Sequence, residues 1–171
     1  MKKLRGTLLS LAALTSLAAG AQTTFSTTVP ERERVTLWAG LSTEFIVLPG
    51  LHLGLSGPIA QAGATSVSLR GTLDTIGVPG LDAFLPVVGA DLLLSRPVGP
   101  VTIYGGPGVA TLLGAVWGVG GTVGVRDRFG AGRVGWFGEA RARYIVGSGT
   151  SDLASGIVVS PGLRAGVTYR F

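Results

Sequence analysis

The last ten residues of the chain alternate between apolar and polar or small side chains with a strict period of two. The apolar set is Leu163, Ala165, Val167, Tyr169 and Phe171. Gly162, Arg164, Gly166, Thr168 and Arg170 occupy the other positions. This alternation is typical of a β-strand with one apolar face and one polar face. An open edge strand with exposed aromatic residues invites aggregation, so the pattern favours a strand that is paired on both edges and meets lipid.

The first residues of the chain have the pattern of a secretory signal peptide. Lys2, Lys3 and Arg5 form a basic start, an apolar stretch follows at residues 8–17, and small residues occupy positions 19–21. This apolar stretch is too short to span a membrane as a helix. We therefore predict a signal peptide at residues 1–21, a polar lead-in at residues 22–33 and a single domain at residues 34–171.

Charged residues are scarce in this chain. They make up 13% of the 171 residues, whereas soluble domains usually contain about a quarter. This shortage indicates that much of the molecular surface does not face water. The formal net charge is +5, and three of the cations belong to the predicted signal peptide, so the composition predicts no nucleic-acid-binding patch. The absence of cysteine excludes disulfides and cysteine-based metal sites.

Alternating segments separated by glycine and proline recur along the rest of the chain. We predict eight strands, at residues 34–44, 50–57, 64–74, 84–95, 101–109, 115–126, 133–146 and 157–171. Eight strands of about ten residues match the smallest membrane barrels. The predicted fold is therefore an all-β, membrane-spanning, antiparallel up-and-down β-barrel.

The final strand, with Gly166, Tyr169 and the terminal Phe171, resembles the closing strand of bacterial outer-membrane β-barrels. Together with the strand count, the resemblance extends to the small barrels of the OmpA, OmpX and OmpW kind and covers nearly the whole chain after the signal peptide. It implies an outer-membrane location, with the lead-in in the periplasm. It also implies that the strand is read by the barrel-assembly machinery and that outer-membrane lipids surround the protein. We expect a monomer, although the sequence does not fix the oligomeric state.

The sequence is also compatible with two other folds. Residues 108–125 lack charge and proline and contain two pairs of glycines four residues apart, which would suit a spanning helix. The many Gly, Val and Thr residues in this stretch argue against a helix. A soluble, exported β-sandwich is the second alternative, although it would need more polar outer faces.

Charged residues on the inward parity form the main candidate site. They are Arg70, Asp74, Asp91, Glu139, Arg141, Arg143 and Arg164. An eight-stranded barrel is just wide enough for side chains to fill it, and buried charges there must be paired. We expect Asp91 and Glu139 to bridge some of the arginines, forming either a solid plug of salt bridges or a polar ion path. Arg170 belongs to the rim.

Aromatic residues on the outward parity predict contacts at the membrane interfaces. Trp117, Trp136 and Tyr144 are the candidates for these interfacial positions. Trp38 falls on the inward parity instead. It indicates either packing in the barrel core or a bulge in the first strand.

His52, Ser56 and Glu44 are the residues that could suggest hydrolytic chemistry. Nothing in their spacing fixes a catalytic geometry, and the single histidine has no partners at metal-ligand spacing. We predict no catalytic, metal or cofactor site and no enzymatic activity. The expected function is a structural role in the cell envelope. The alternatives are a narrow channel or conduit for small hydrophobic molecules and, less favoured, a lipid-modifying enzyme.

Overall fold

A computed structural model of the protein describes residues 35–77, 80, 84–112, 114, 116–147 and 158–171. The predicted signal peptide and lead-in lie outside the described residues. The strands are β1 (Thr36–Glu44), β2 (Leu48–Ala62), β3 (Thr65–Gly77), β4 (Phe84–Val98), β5 (Val101–Leu112), β6 (Val116–Arg128), β7 (Val134–Gly147) and β8 (Val158–Arg170).

The eight strands form one closed antiparallel barrel. Each strand pairs with the next along the chain, and β8 closes the sheet by pairing with β1. The predicted all-β, eight-stranded, up-and-down barrel is therefore confirmed. The single closed sheet also excludes the two-sheet sandwich alternative.

The pairing register fixes the tilt of the strands. Following paired residues once around the barrel from Thr102 leads back to Leu112, ten residues farther along β5. The path runs through Thr102, Arg126, Phe137, Gly166, Gly40, His52, Asp74, Val87 and Leu112. With eight strands, this stagger corresponds to a tilt of about 40° and a backbone radius of about 8 Å. A cylinder of this width has room for side chains only.

The two ends of the barrel differ in the lengths of their connections. At the end that carries the start of β1 and the end of β8, here called the terminal end, residues 63–64, 99–100 and 129–133 join the strands. At the opposite loop end, residues 45–47, 78–83, 113–115 and 148–157 do so. The connections at the terminal end contain two to five residues and those at the loop end three to ten, so the two longest connections, 78–83 and 148–157, both belong to the loop end.

Several strands are longer than predicted, because proline did not end them. The predicted strands leave residues 58–63 as a connection, but β2 continues to Ala62 with an irregularity in its pairing between Pro58 and Ala60. The bulge accommodates the proline within the strand. The turn itself needs only two residues, since Gly63 adopts a φ of +58°, which suits a tight hairpin.

The outward face of the barrel is almost entirely apolar. Exposed leucines and valines occupy the outward positions of every strand, among them Leu53, Leu73 and Val123. Among the described strand residues, the charged side chains on the outward parity are Arg96 and Asp127, both beside turns at the terminal end. The barrel is therefore inverted relative to a water-soluble domain, with charge inside and apolar surface outside.

Residues 108–125, the candidate for a spanning helix, form the end of β5, a short connection and most of β6. The helix alternative is therefore wrong, because the β-branched residues and glycines of this segment pair across a hairpin. Within the part of the chain that the structure describes, no helix has the length and apolar character needed to cross a membrane.

Candidate functional site: the barrel interior

An aromatic layer fills the interior toward the terminal end. Trp38, Tyr104, Phe137 and Leu93 are 0–2% exposed and form one cluster. The Trp38 ring lies edge-on to the rings of Tyr104 and Phe137, with centroid distances of 5.4 and 5.1 Å. Trp38 Nε1 donates a hydrogen bond to Ser56 Oγ at 2.8 Å. Of the two possibilities for Trp38, packing in the core is therefore the one observed, and the pairing of β1 is regular.

Arg70 forms the centre of the charged network above this layer. Its Nε and Nη2 atoms donate to Asp91 Oδ2 at 3.0 and 2.7 Å. Its Nη1 and Nη2 atoms donate to the two carboxylate oxygens of Glu139 at 2.7 and 3.1 Å. The guanidinium also lies over the Trp38 ring, 5.1 Å from its centroid, which couples the network to the aromatic layer.

Arg164 links the central charges to those nearer the loop end. It donates to Glu139 Oε1 at 2.8 Å and also hydrogen-bonds to Asp74. Asp74 in turn accepts from Arg141 Nη1 at 2.9 Å and lies 2.8 Å from Nδ1 of His52. One carboxylate therefore connects three strands besides its own.

Glu44 binds the two arginines nearest the loop end. It hydrogen-bonds to Arg141, accepts from Arg143 Nη1 at 3.2 Å and accepts from Ser160 Oγ at 2.7 Å. The side chain of Arg143 is 10% exposed, more than the other three arginines of the network.

The network is balanced in charge. Its four arginines are Arg70, Arg141, Arg143 and Arg164, and its four carboxylates are Glu44, Asp74, Asp91 and Glu139. All eight residues are buried. A buried charge is tolerated only when it is paired and hydrogen-bonded, and charge-assisted bonds of this kind are the strongest available. The eight charges of the network thus cancel, and the guanidinium of Arg126 lies apart from them over the rings of Trp38 and Tyr104.

All seven residues of the predicted charge set lie in this interior network. Asp91 and Glu139, which were expected to bridge the arginines, reach Arg70 and Arg164, whereas Arg141 and Arg143 bind Glu44 and Asp74 instead. Glu44 is the member that the sequence interpretation missed. It shares the inward parity of Trp38 in β1, and this parity was the signal that could have identified it.

The residues that might have formed a hydrolytic triad have separate partners. His52 pairs with Asp74, Ser56 accepts the hydrogen bond from Trp38, and Glu44 binds Arg141, Arg143 and Ser160. Their hydrogen bonds do not run from serine to histidine to carboxylate, as those of a Ser-His-Asp/Glu triad do. Among the described residues, no cluster of three or more His, Asp or Glu could hold a metal ion.

The aromatic residues of the outer surface, of which Trp136 is half-buried and the others are exposed, lie at the two ends of the barrel. Trp117 is the second residue of β6, and Tyr144 lies on β7 three residues from its end, so both belong to the loop end. Trp136 lies near the start of β7, at the terminal end. Phe45 and Phe84 add to the first group, and Phe129, Tyr169 and Phe171 add to the second. Between the two groups the outer face is aliphatic.

The seam between β8 and β1 contains the three residues that carry the resemblance of the final strand: Gly166, Tyr169 and Phe171. Gly166 lies opposite Gly40, and Tyr169 lies opposite Leu37. Phe171 N donates to Val35 O at 3.1 Å, and its ring packs edge-on against Tyr169 with a centroid distance of 5.2 Å. These residues therefore help to define the junction that closes the barrel.

A pocket of about 170 Å³ opens into the interior at the loop end. Its walls are mostly aliphatic and include Val87, Ala110, Leu112 and Ile145. Its polar residues are Thr111 and, at the outermost part of the charged network, Glu44, Arg143 and Ser160.

The chain matches no family model, no curated protein and no solved structure in comparisons of its sequence and fold with known proteins.

Proposed function

We propose that the protein is an integral outer-membrane β-barrel with a structural role in the bacterial envelope and an interior closed by salt bridges. The observation that carries this proposal is the outer face, which is apolar between two groups of aromatic residues. A water-soluble barrel of this size would expose a large, continuous apolar surface, which soluble monomers rarely do. Lipid is the environment that makes such a surface favourable.

The dimensions support this placement. The strands contain 9–15 residues. At a rise of about 3.3 Å per residue and a tilt of about 40°, twelve residues span about 30 Å along the barrel axis. This matches the hydrocarbon thickness of a bilayer. The two aromatic groups would then lie at its two interfaces, as in barrels of the outer membrane.

The interior favours a structural role over a channel. The buried aromatic layer and the eight balanced charges leave little room for a continuous water path through the described residues. A cation- or anion-selective pore would instead require an excess of one charge along its lining. The narrow-channel alternative therefore has weaker support.

The position of the closing strand suggests the partner that assembles the barrel. β8 is the last strand in the chain and pairs with the first, so the barrel cannot close until it is in place. We propose that Gly166, Tyr169 and Phe171 present this strand to the outer-membrane assembly machinery.

Membrane fractionation combined with conductance tests the proposed function. The full chain, expressed in a Gram-negative host, should appear in the outer-membrane fraction and run faster on gels when it is not boiled. Purified protein inserted into a planar bilayer should produce no stable single-channel steps. Recovery as a soluble periplasmic protein would overturn the membrane placement, and reproducible steps would overturn the closed interior.

A further inference from the structure

The pocket at the loop end has an arrangement of groups that the structural role does not use. Its aliphatic residues come from several strands, and three of its four polar residues, Glu44, Arg143 and Ser160, belong to the charged network or bind it. A concave, mostly apolar site with a few convergent polar groups is the usual form of a small-molecule site. We propose that this pocket binds a small monocarboxylate, with its carboxylate on Arg143 and its apolar body against Val87, Ala110, Leu112 and Ile145.

The charges near the pocket favour an anion. Although the whole network is neutral, its loop-end half contains three guanidinium groups, Arg141, Arg143 and Arg164, around the two carboxylates of Glu44 and Asp74. The remaining two carboxylates surround Arg70, on the side of the aromatic layer. Arg164 is shared with Glu139, to which it donates at 2.8 Å, so the excess of guanidinium groups beside the pocket consists of Arg141 and Arg143 around Glu44.

Arg143 is the group best placed to receive the anion. Its bond to Glu44 Oε1 is 3.2 Å long and uses an oxygen that Arg141 also binds. Its Nη2 atom is 3.8 Å from Asp74, which is beyond hydrogen-bond distance. A guanidinium presents five N–H donors and pairs naturally with a carboxylate, so a ligand carboxylate can bind beside Glu44 without replacing it.

The volume limits the apolar part of the ligand. An apolar protein cavity of about 150 Å³ accommodates benzene. The pocket volume of about 170 Å³ therefore suits a body of six or seven carbons, such as the ring of benzoate or the chain of hexanoate. The pocket ends at the network, where Glu44, Arg143 and Ser160 are buried. A ligand would therefore bind in the pocket without passing through the barrel.

Calorimetric titration of the folded full-length barrel in a detergent with a neutral headgroup tests this inference. Benzoate and hexanoate are the probes, and benzyl alcohol is the uncharged comparison. We expect both acids to bind at least tenfold more tightly than the alcohol. In the Arg143→Gln variant this preference should disappear, whereas Arg96→Gln, which changes an exposed arginine at the terminal end, should keep it.

A second variant tests the pocket without changing the charges. Ala110→Leu places three additional carbons in the pocket and should abolish binding of the acids and the alcohol together. Acid binding that survives in Ala110→Leu would overturn the proposed location, even if Arg143→Gln fails to fold. Absence of binding to the native barrel, or an equal affinity for acid and alcohol, would overturn the anion site. The result is independent of the proposed membrane role, because titration does not depend on where the barrel resides in the cell.

Discussion

Arg70 donates four hydrogen bonds to two carboxylates while its side chain is fully buried. Each of these bonds replaces hydration that the guanidinium lost on burial, and each carboxylate depends on the same cation. The contribution of Arg70 to stability is therefore best measured in a variant that lacks its charge. The two carboxylates would remain in the interior with less positive charge near them.

We expect Arg70→Gln to destabilise the folded barrel by about 3–5 kcal/mol, the usual cost of breaking a buried ion pair by removing one partner. Glutamine retains two donors but no charge, so it cannot neutralise Asp91 and Glu139. Urea unfolding of the refolded protein, followed by tryptophan fluorescence, measures the change. Arg96→Gln, at an exposed position, is the control and should leave the unfolding midpoint unchanged. Similar small effects of both substitutions would indicate that water screens the interior charges.

At the level of the strands, the closure between β1 and β8 depends on close backbone approach. Gly166 lies opposite Gly40, and a Cβ atom added to Gly166 would lie 2.5 Å from the Cα atom of Gly40. Real Cβ atoms essentially never come so close to a neighbouring backbone, so any side chain here must push the two strands apart. The glycine pair thus sets the local fit of the seam.

Gly166→Ala should therefore destabilise the barrel by about 1–3 kcal/mol, as overpacking typically does. Gly138→Ala is a matched control on the neighbouring strand, because no atom lies within 4 Å of the position that its Cβ would occupy. The measurement is the temperature at which the fast-migrating folded form disappears on unboiled gels. We expect a lower temperature for Gly166→Ala and no decrease for Gly138→Ala. Equal temperatures would show that the seam relaxes without cost.

Deletion of Phe171 tests the proposed role of the closing strand in assembly. The residue follows the last strand residue and is 53% exposed, so its removal loses one backbone hydrogen bond to Val35 and a ring contact with Tyr169 and should lower the stability of the refolded barrel by only about 1–2 kcal/mol. In cells, the deletion should leave export intact but reduce the folded protein recovered from the outer membrane. Phe129→Ala removes another aromatic ring at the terminal end, 57% exposed, and should not reduce it. Equal yields from the two variants would argue against recognition of the terminal residue.

The number of strands, and whether each side chain points into the barrel or outward, could be predicted from the sequence, because a period of two is visible within each strand. The parity of β7 correctly predicts Glu139, Arg141 and Arg143 as inward residues. The ion-pair partners could not be predicted in this way, since they depend on the stagger between strands. The pairing of Arg141 with Glu44 joins β7 to β1 across the interior, and parity alone contains no information about height along the barrel.

The proline-containing turns show a second limit of sequence interpretation. The predicted strands stop at residues 57 and 95, before Pro58 and Pro97, but both prolines lie within strands, and two-residue turns follow at 63–64 and 99–100. Proline excludes a ladder hydrogen bond from its own nitrogen but does not exclude an extended backbone. Whether it ends a strand depends on the neighbouring strand, which a local pattern does not reveal.

For the whole molecule, the distribution of charge relates the fold to its surroundings. The charges of the network lie inside and cancel, while the middle of the outer face is aliphatic. In water this arrangement would leave apolar area exposed at a cost of about 25 cal/mol per Å². In a lipid bilayer the same apolar outer face contacts hydrocarbon, so this cost disappears. The two environments therefore predict opposite responses to a charge placed on the outer face.

Val123 and Val98 allow this difference to be measured. Val123 lies in the middle of β6 and is 59% exposed, whereas Val98 ends β4 and is 49% exposed. If lipid surrounds the barrel, Val123→Arg should cost about 2–4 kcal/mol and Val98→Arg about 0–1 kcal/mol, because the penalty for arginine falls from the bilayer midplane to the interface. Urea titration of each variant folded into lipid vesicles gives these values.

The same pair of variants distinguishes membrane placement from a soluble barrel. On a water-exposed surface, arginine at either position would be nearly neutral, since surface substitutions usually change stability by less than about 0.5 kcal/mol. A much larger destabilisation by Val123→Arg than by Val98→Arg therefore requires a nonpolar environment around the middle of the barrel. Equal and small effects at both positions, together with folding of Val123→Arg in buffer without lipid or detergent, would contradict the proposed membrane placement while leaving the barrel fold intact.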